Sequence, residues 1–288
     1  MVTLAPPTPL PTEILMSIAE TLPADLRVLS KLAELLKDPN SDLDDIARLL
    51  RRDVALAAKI LQVSNSAAFG RGRAVASTEE AVNLVGFGEI LKLVGTVTAA
   101  RLSESALHCY DVDAKRLRDN MLYGAFAAEA LAGPAGIDPR VAYNAGLLRS
   151  VGVMVLDRAG RRDPATSPLY SPSRWPDFVA WETSVFGMAS TEVTAIVLNN
   201  WGFPSELTRA IRSHYIIQPT GQEEPLAALL NLANGLAQRV SRSFHGEDPW
   251  WDITPEKLAA AHLTEDDFGP AVVATEEAFE AARTALAA

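Results

Sequence analysis

A cation and a hydroxyl stand side by side in an apolar stretch of this 288-residue chain, where such groups could bind a ligand or serve catalysis. The stretch AGLLRSVGVMVLD (residues 145–157) is apolar enough for a buried helix, and Arg149 and Ser150 lie in its middle. The positions three and four residues from Arg149 are Ala, Gly, Gly and Val, so its own helix offers no carboxylate. Arg149 therefore either extends to the surface along its aliphatic stem, or lies inside the fold with an acid such as Glu182 or a bound anion.

His108 and Cys109 form another adjacent pair whose side chains could act as base and nucleophile. Adjacent residues on a helix point away from each other, and no carboxylate is placed by spacing to orient the imidazole. Cys109 is the only cysteine, which excludes a disulfide within the chain and a cysteine-based metal cluster. We therefore expect a packed thiol here. The nucleophile-elbow, P-loop and dinucleotide-binding glycine patterns do not occur.

The elements that must position these side chains are predicted to be helices. Hydrophobic residues make up 48% of the chain and charged residues 22%, which is typical of a packed core. Aromatic residues make up only 7%, and the frequent leucine and alanine favour helices. Because no β-branched run alternates with polar residues, we predict an all-α fold.

The pattern of helix and loop signals divides the chain into four parts. Four prolines within residues 1–11 predict a flexible leader. About five short helices are expected in residues 12–107, and a second group of helices in residues 113–243. In this second group, one helix is predicted to run through AGLLRSVGVMVLD without a break. Residues 247–288 are predicted to be an acidic helical extension.

The charge is unevenly distributed. The chain has a net charge of −10, and residues 247–288, with ten acidic and two basic side chains, carry −8 of it. We expect those acids to form a solvated helical face, with a docking surface for a basic partner as the alternative. No basic stripe of the kind that binds duplex nucleic acid is present, so nucleic acid is not expected as a partner.

Targeting signals are absent from the sequence pattern. The first residues contain no basic segment followed by an apolar one, and no apolar run reaches the roughly 18 residues of a membrane span. The expectation is a cytoplasmic protein without a membrane partner.

The order of several segments resembles the HDOD family, whose members are bacterial signalling modules related to HD-domain metal phosphohydrolases. The resemblance covers roughly residues 18–243. Its first half consists of LSKLAELLKDPNSDLDDIARLLRRDVALAAKILQVSNSAAFG and VASTEEAVNLVGFGEILKLV. Its second half consists of GLLRSVG, WETSVFGMASTEV and LNNWGFPSELTRAIRSHY. The resemblance implies an HD-domain-like helical bundle in two halves.

In catalytic HD relatives, histidines and aspartates on several helices hold one or two divalent metals, and a metal-bound water attacks a phosphate ester. By spacing, the family's ligand positions fall here on Asn120, Arg149, Ser150, Ser190, His214 and Asn234. Only His214 is a usual ligand, and Arg149 would place a positive charge where the metal belongs. The resemblance therefore implies that the metal site and its hydrolytic reaction are lost, and that no cofactor is held.

The same positions suggest other roles. The four small polar residues are expected to be fillers of an inherited cavity, or else to line a small-molecule or nucleotide pocket: Asn120, Ser150, Ser190 and Asn234. His214 is expected to cap a helix or bond within the bundle, with a ligand contact as the alternative. Glu182 is expected to anchor a loop or a helix end by hydrogen bonds.

The leading hypothesis is a non-enzymatic bacterial signalling or regulatory protein that binds other signalling proteins, with a small anionic ligand as a further partner. One alternative is a residual metal-dependent phosphohydrolase acting on nucleotides or cyclic dinucleotides. The other is an anion or nucleotide sensor that uses the vestigial cavity. The seam between the two helical halves and the acidic C-terminal helices are the predicted interaction surfaces.

Overall fold

Helices make up most of the described chain. The computed structural model describes residues 8–23, 25–66, 75–102 and 106–287. Within those ranges no β-strand forms, and an isolated bridge joins Leu107 to Val112. The predicted all-α fold is confirmed. The leader predicted for residues 1–11 lies mostly outside the described residues.

In the described residues before residue 103 there are six helices, and side-chain caps hold the first turns of the third and the fifth. They are α1 (Thr12–Ala19), α2 (Asp25–Lys37), α3 (Leu43–Leu50), α4 (Val54–Ser64), α5 (Thr78–Val85) and α6 (Phe87–Leu102). Ser77 caps α5 by accepting a hydrogen bond from the Glu80 N–H at 3.1 Å. The cap of α3 is Asp42, whose carboxylate accepts from the Asp45 N–H at 2.9 Å.

Within residues 106–287 there are nine further helices, together with short 3-10 turns at His108–Tyr110, His245–Trp250 and Glu265–Asp267. The helices are α7 (Ala114–Ala132), α8 (Pro139–Leu148), α9 (Val151–Arg162), α10 (Phe178–Phe186), α11 (Ser190–Asn200), α12 (Ser205–Ser213), α13 (Pro225–Arg239), α14 (Pro255–Ala260) and α15 (Phe268–Ala287). Asp138 caps α8, and Pro139 begins it, where its missing N–H costs nothing.

Contacts group the chain into two compact units. The larger contains Met1–Thr21 and Ser103–Ala274, and the smaller contains Leu22–Leu102 and Thr275–Ala288. The sequence pattern grouped α1 with residues 12–107, whereas the contacts place it in the larger unit against α9 and α11. Within the larger unit, α8 and α13 pack on α7, and α11 packs on α9. These helices carry Asn120, Ser190 and Asn234, and α8 and α9 flank Arg149 and Ser150.

The helix predicted to run through AGLLRSVGVMVLD is in fact two helices. Arg149 and Ser150 form the connection between α8 and α9. The Thr194 hydroxyl, on α11, accepts a hydrogen bond from the Gly152 N–H at 2.8 Å and lies 3.1 Å from the Arg149 carbonyl oxygen. The break is thus held by a contact from another helix, which the local hydrophobic pattern does not contain.

Gly152 allows α9 and α11 to approach each other closely. A Cβ atom built on Gly152 would lie 1.9 Å from the Ser190 carbonyl oxygen and 2.6 Å from the Thr194 hydroxyl. Real Cβ atoms do not approach backbone oxygens so closely, so any side chain here would push the two helices apart. The break at Arg149 and the glycine three residues later therefore set the position of α9.

Candidate functional site

Arg149 lies inside the larger unit, with only 2% of its surface exposed. Its guanidinium donates through Nη1 to Glu247 Oε1 and through Nη2 to Glu247 Oε2, both at 3.0 Å. Nη2 also donates to the Asn120 side-chain oxygen at 2.6 Å. Of the two alternatives for Arg149, surface extension is therefore wrong. The acid that pairs with it is Glu247, not Glu182.

Two aromatic rings flank the same guanidinium. Arg149 Cζ lies 5.6 Å from the ring centroid of Phe244 and 5.5 Å from that of Trp251. Aromatic faces attract cations electrostatically, most strongly where water is excluded. Burial by itself would lower the pKa of Arg149, but the charge and hydrogen bonds of Glu247 hold it above its usual value. The side chain therefore stays charged in the interior.

Glu247 is completely buried, so the expectation that the acids from residue 247 onward form a solvated face is wrong for this residue. Besides Arg149, its carboxylate accepts a hydrogen bond from the Tyr215 hydroxyl at 2.6 Å. The preceding residue, Gly246, packs on Phe178, where an added Cβ would lie 2.1 Å from the ring. This contact lets the backbone come close enough to direct Glu247 inward.

Residues 240–251 form a segment that we call the strap, and α7 holds its first half. The Asn120 amide group donates to the Arg242 carbonyl oxygen at 2.8 Å while its oxygen accepts from Arg149. Arg116, one turn earlier, donates to the carbonyl oxygens of Ser241 and Ser243 at 3.1 and 2.8 Å. Asn120 therefore links the strap to the buried cation, and its amide orientation is set by a donor on one side and an acceptor on the other.

Glu182 has a separate set of partners. Its carboxyl group accepts from the Tyr110 hydroxyl and from the Ser190 N–H, both at 2.7 Å. The second bond fixes the first turn of α11, so Glu182 does anchor a helix end by hydrogen bonds. Burial raises the pKa of Glu182 to about 8, against the effect of these bonds.

His214, at the end of α12, is buried and bonded within the bundle. Its Nδ1 lies 2.6 Å from the Ile211 carbonyl oxygen, and because that oxygen only accepts, the neutral ring carries its proton on Nδ1. The ring stacks on Trp251 with centroids 5.7 Å apart. Burial, followed by the charge of Arg149, lowers the pKa of His214 to about 3, so the imidazole is neutral.

The two remaining predicted site residues, Ser150 and Asn234, are buried, and in the described part of the chain their side chains form no hydrogen bond to either network. Asn234 donates to the Leu230 carbonyl oxygen at 2.8 Å within its own helix. The Asn234 oxygen and the Ser150 hydroxyl have no hydrogen-bond partner within the described ranges. The structure thus brings Asn120 to Arg149, and Ser190 to Glu182.

The sequence pattern missed four residues around the guanidinium: Tyr215, Phe244, Glu247 and Trp251. Tyr215 follows His214, but nothing in its spacing marks it as a partner of an acid. Glu247 is one of ten acids in its segment and is not distinguished from the others by local sequence. Only the fold could assign them to Arg149.

The residues at the family's ligand positions do not fit a divalent metal. The guanidinium at Arg149 brings a fixed positive charge and no lone pair, and the carboxylate nearest to it is already paired. Amide and hydroxyl groups at Asn120, Ser150 and Ser190 are weak replacements for imidazole and carboxylate ligands. In the described residues no group of three His, Cys, Asp or Glu side chains is placed to hold a metal ion.

A profile of the HDOD domain matches residues 22–217, which is more than half of the chain. This chain belongs to the HDOD family. The match confirms the resemblance noted in the sequence. It ends 30 residues before Glu247, so the acid that pairs with Arg149 lies outside the part of this chain that the HDOD profile covers.

A curated relative from Treponema pallidum (strain Nichols), named "Uncharacterized protein", is 27% identical over 282 residues. The alignment covers 95% of this HDOD protein and 53% of the relative. The chain therefore spans about half the length of that relative.

Three solved structures share the fold. A "Putative phosphohydrolase" from Shewanella amazonensis SB2B has a TM-score of 0.68 at 20% identity, covering 94% of this chain and 97% of its own. A "Putative signal transduction protein" from Marinobacter aquaeolei VT8 has a TM-score of 0.64 at 20% identity, covering 95% and 65%. An HDOD domain protein of unknown function from Geobacter sulfurreducens has a TM-score of 0.60 at 19% identity, covering 90% and 88%.

Among the described residues of this HDOD chain, no helix is both long and apolar enough to cross a membrane.

Proposed function

We propose that this HDOD protein is a non-enzymatic signalling component of the cytoplasm that acts by binding other proteins. The observation that carries the proposal is the buried pair of Arg149 and Glu247 at the position where the family's HD motif would stand. A guanidinium that is already bonded to a carboxylate supplies the positive charge of the site itself. A divalent cation there would be repelled by Arg149 and would find no free carboxylate at Glu247.

The membership of the family supports a signalling role, and so does the name of the related Marinobacter protein. The name of the related Shewanella protein points instead to phosphohydrolase activity, which is the main alternative. That reaction needs a metal-bound water, because the metal lowers the pKa of the water and neutralises the charge that develops on the phosphate. With Arg149 and Ser150 in the HD positions, this chain lacks the side chains that would hold such a metal.

An anion sensor that uses Arg149 is less favoured than protein binding. Both terminal nitrogens of the guanidinium are engaged by Glu247, so the cation is already neutralised within the protein. A free anion would first have to displace that carboxylate.

Metal analysis combined with an activity assay tests the non-enzymatic part of the proposal. Protein purified without chelators is expected to contain far less than one equivalent of iron, manganese or zinc. Hydrolysis of bis-p-nitrophenyl phosphate and of a cyclic dinucleotide, with each metal added, is expected to equal that of the Arg149→Ala variant. Stoichiometric metal together with hydrolysis above that of the variant would overturn the proposal.

Affinity capture from the native cell tests the protein-binding part. The tagged full-length protein is crosslinked in the cell and the captured proteins are identified by mass spectrometry, with an unrelated tagged protein as the control. We expect a signalling protein to be enriched. When the tag is moved to that partner, we expect the reciprocal capture to contain this HDOD protein. Capture that fails in both directions would count against a protein-binding role.

A further inference from the structure

The Glu247 carboxylate is held in the way that proteins hold a free carboxylate ligand. Two parallel guanidinium N–H groups of Arg149 meet its two oxygens, each at 3.0 Å, and the Tyr215 hydroxyl adds a third donor at 2.6 Å. Such bidentate pairing matches the planar shape of a carboxylate. Asn120 does not touch the carboxylate, but it positions the guanidinium through Nη2.

The titratable groups His214 and Glu182 near the pair do not balance the positive charge of Arg149, so the site needs one anion. The neighbouring His214 is neutral because burial and Arg149 lower its pKa to about 3. Glu182 is mostly protonated at pH 7 because burial raises its pKa to about 8. Removing the Glu247 carboxylate would therefore leave the buried cation of Arg149 uncompensated, which is costly in an interior of low polarity.

The Glu247 carboxylate is carried by the strap, which lies outside the region that the family profile matches. Glu247 is 98 residues from Arg149 in the chain and lies in the strap, whereas the HDOD profile ends at residue 217. A tethered ligand acts at a high effective concentration, so it excludes free competitors without needing a tight intrinsic bond. The helical bundle thus contains the binding groups, Arg149 and Tyr215, and the strap contains the carboxylate that they bind.

We propose that Arg149 and Tyr215 form a binding site for a small monocarboxylate, and that Glu247 is the tethered occupant of this site. The inference rests on the proposed function, since it takes the site to be a binding site and not a metal centre. A free carboxylate of matching shape can take the place of Glu247 once the tethered side chain is gone. In the wild-type protein, Glu247 on the strap keeps the site filled.

Acetate titration of the full-length Glu247→Ala variant tests the inference. This substitution removes the Cγ methylene and the carboxylate, and acetate has a methyl and a carboxylate of the same size. Thermal unfolding is followed by circular dichroism in sodium acetate, with sodium chloride added to keep the ionic strength constant. The melting temperature of the variant is expected to rise by several degrees and to saturate, as specific binding to the folded state requires.

Three matched measurements define the result. The wild-type protein is expected to show no saturating shift, because Glu247 already fills the site. The Arg149→Met/Glu247→Ala double variant is also expected to show none, because the cation is missing. Phosphate, which is tetrahedral, is expected to need at least tenfold higher concentration than acetate for the same shift of Glu247→Ala.

An equal shift in the double variant, a shift that grows linearly with acetate concentration without saturating, or equal potency of phosphate would each overturn the proposal. If Glu247→Ala is unfolded in chloride, the titration is followed as acetate-dependent recovery of the helical signal, and no recovery would overturn it. The outcome of the acetate titration does not depend on the measurements of metal content and hydrolysis that test the proposed function. A protein that proves to be an enzyme would refute the proposed function, whereas an acetate-insensitive variant would refute only the tethered ligand.

Discussion

The Arg149 guanidinium and the Glu247 carboxylate, 98 residues apart in the chain, meet through two hydrogen bonds of 3.0 Å in a position closed to solvent. Neither charge could be buried alone at a tolerable cost, so each residue accounts for the burial of the other. The pair joins the strap to the connection between α8 and α9. The spacing of the sequence predicts that a catalytic relative would carry its metal-binding motif at the position of Arg149.

Breaking this pair from one side should be far more damaging than removing it altogether. Arg149→Met leaves a buried carboxylate without its cation, and we expect a loss of about 3–5 kcal/mol in the free energy of unfolding. The Arg149→Met/Glu247→Leu double variant removes both charges and fills the space with apolar groups. It is expected to recover most of that loss in urea denaturation.

The exposed pair of Arg209 and Glu224 offers a matched control. Arg209 Nε lies 2.7 Å from Glu224 Oε1, but the two side chains are 58% and 39% exposed, so the pair is in contact with solvent. Arg209→Met should therefore cost about 1 kcal/mol or less. Equal losses for Arg209→Met and Arg149→Met would show that the buried pair contributes no more than a surface pair.

Glu182 should make stability fall with pH near neutrality. Its pKa is about 8 in the folded protein, against 4.5 for an ordinary glutamate, because it is buried. The folded state therefore binds an extra proton between these values, and this contribution is complete below pH 4.5 and is lost as the pH rises towards 8. His214 acts oppositely, from its folded pKa of about 3 to the ordinary 6.5. The two effects oppose each other up to pH 6.5.

The Glu182 effect should therefore be measurable alone between pH 6.5 and 8. Over that range the free energy of unfolding of the wild type should fall more steeply than that of Glu182→Gln, by up to about 1.4 kcal/mol per pH unit. Glutamine keeps the shape of the protonated acid, and the Tyr110 hydroxyl can accept from its amide as well as donate. Parallel pH profiles from urea denaturation would contradict the raised pKa of Glu182.

Two small residues at the start of α9 should respond in opposite ways to an added or removed atom: Ser150, just before the helix, and Gly152, in its first turn. Gly152→Ala forces a methyl group against the Ser190 carbonyl oxygen and should destabilise the protein by about 3 kcal/mol or more. Ser150→Ala removes a buried hydroxyl that has no hydrogen-bond partner in the described residues. We expect it to be neutral or to stabilise the protein by up to about 1 kcal/mol.

Gly133 is the control for the effect of a methyl group on a glycine. It ends α7 in a right-handed helical conformation, and an added Cβ would meet nothing within 4 Å. Gly133→Ala should therefore stabilise slightly, by about 0.4–1 kcal/mol, through the lower entropy of the unfolded chain. A loss at Gly133 as large as that at Gly152 would rule out close helix contact as the cause.

The Cys109 thiol should be inert while the protein is folded. It is buried, and burial followed by the charge of Asp157 raises its pKa to about 11. Since the thiolate is the reactive form, iodoacetamide at pH 8 should label Cys109 at least about a hundredfold more slowly in buffer than in urea. Mass spectrometry measures the labelling, with Cys109→Ala as the unlabelled control. Similar rates in the two conditions would show that the thiol is accessible.

Much of the helical pattern could be predicted because its causes are local. Ser77 caps α5, and Asp138 with Pro139 begins α8, as their positions in sequence indicate. The helix through Arg149 was predicted as continuous, and it is broken because Thr194, 45 residues away, binds the backbone there. The cap of α3, Asp42, is local like those of α5 and α8, since its carboxylate accepts from the Asp45 N–H three residues later.

By itself, the sequence determined that the chain is helical and that it belongs with HDOD proteins, and its spacing predicts that the usual metal ligands are replaced at every position except that of His214. These properties follow from residue types and short spacings. Only the tertiary structure decided which acid neutralises Arg149. Ten acids lie beyond residue 246, and Glu247 is selected because the strap folds back over α7 and Gly246 lets its backbone approach Phe178. A charge buried in the interior takes the partner that the fold brings within reach, and distance along the chain does not reveal that partner.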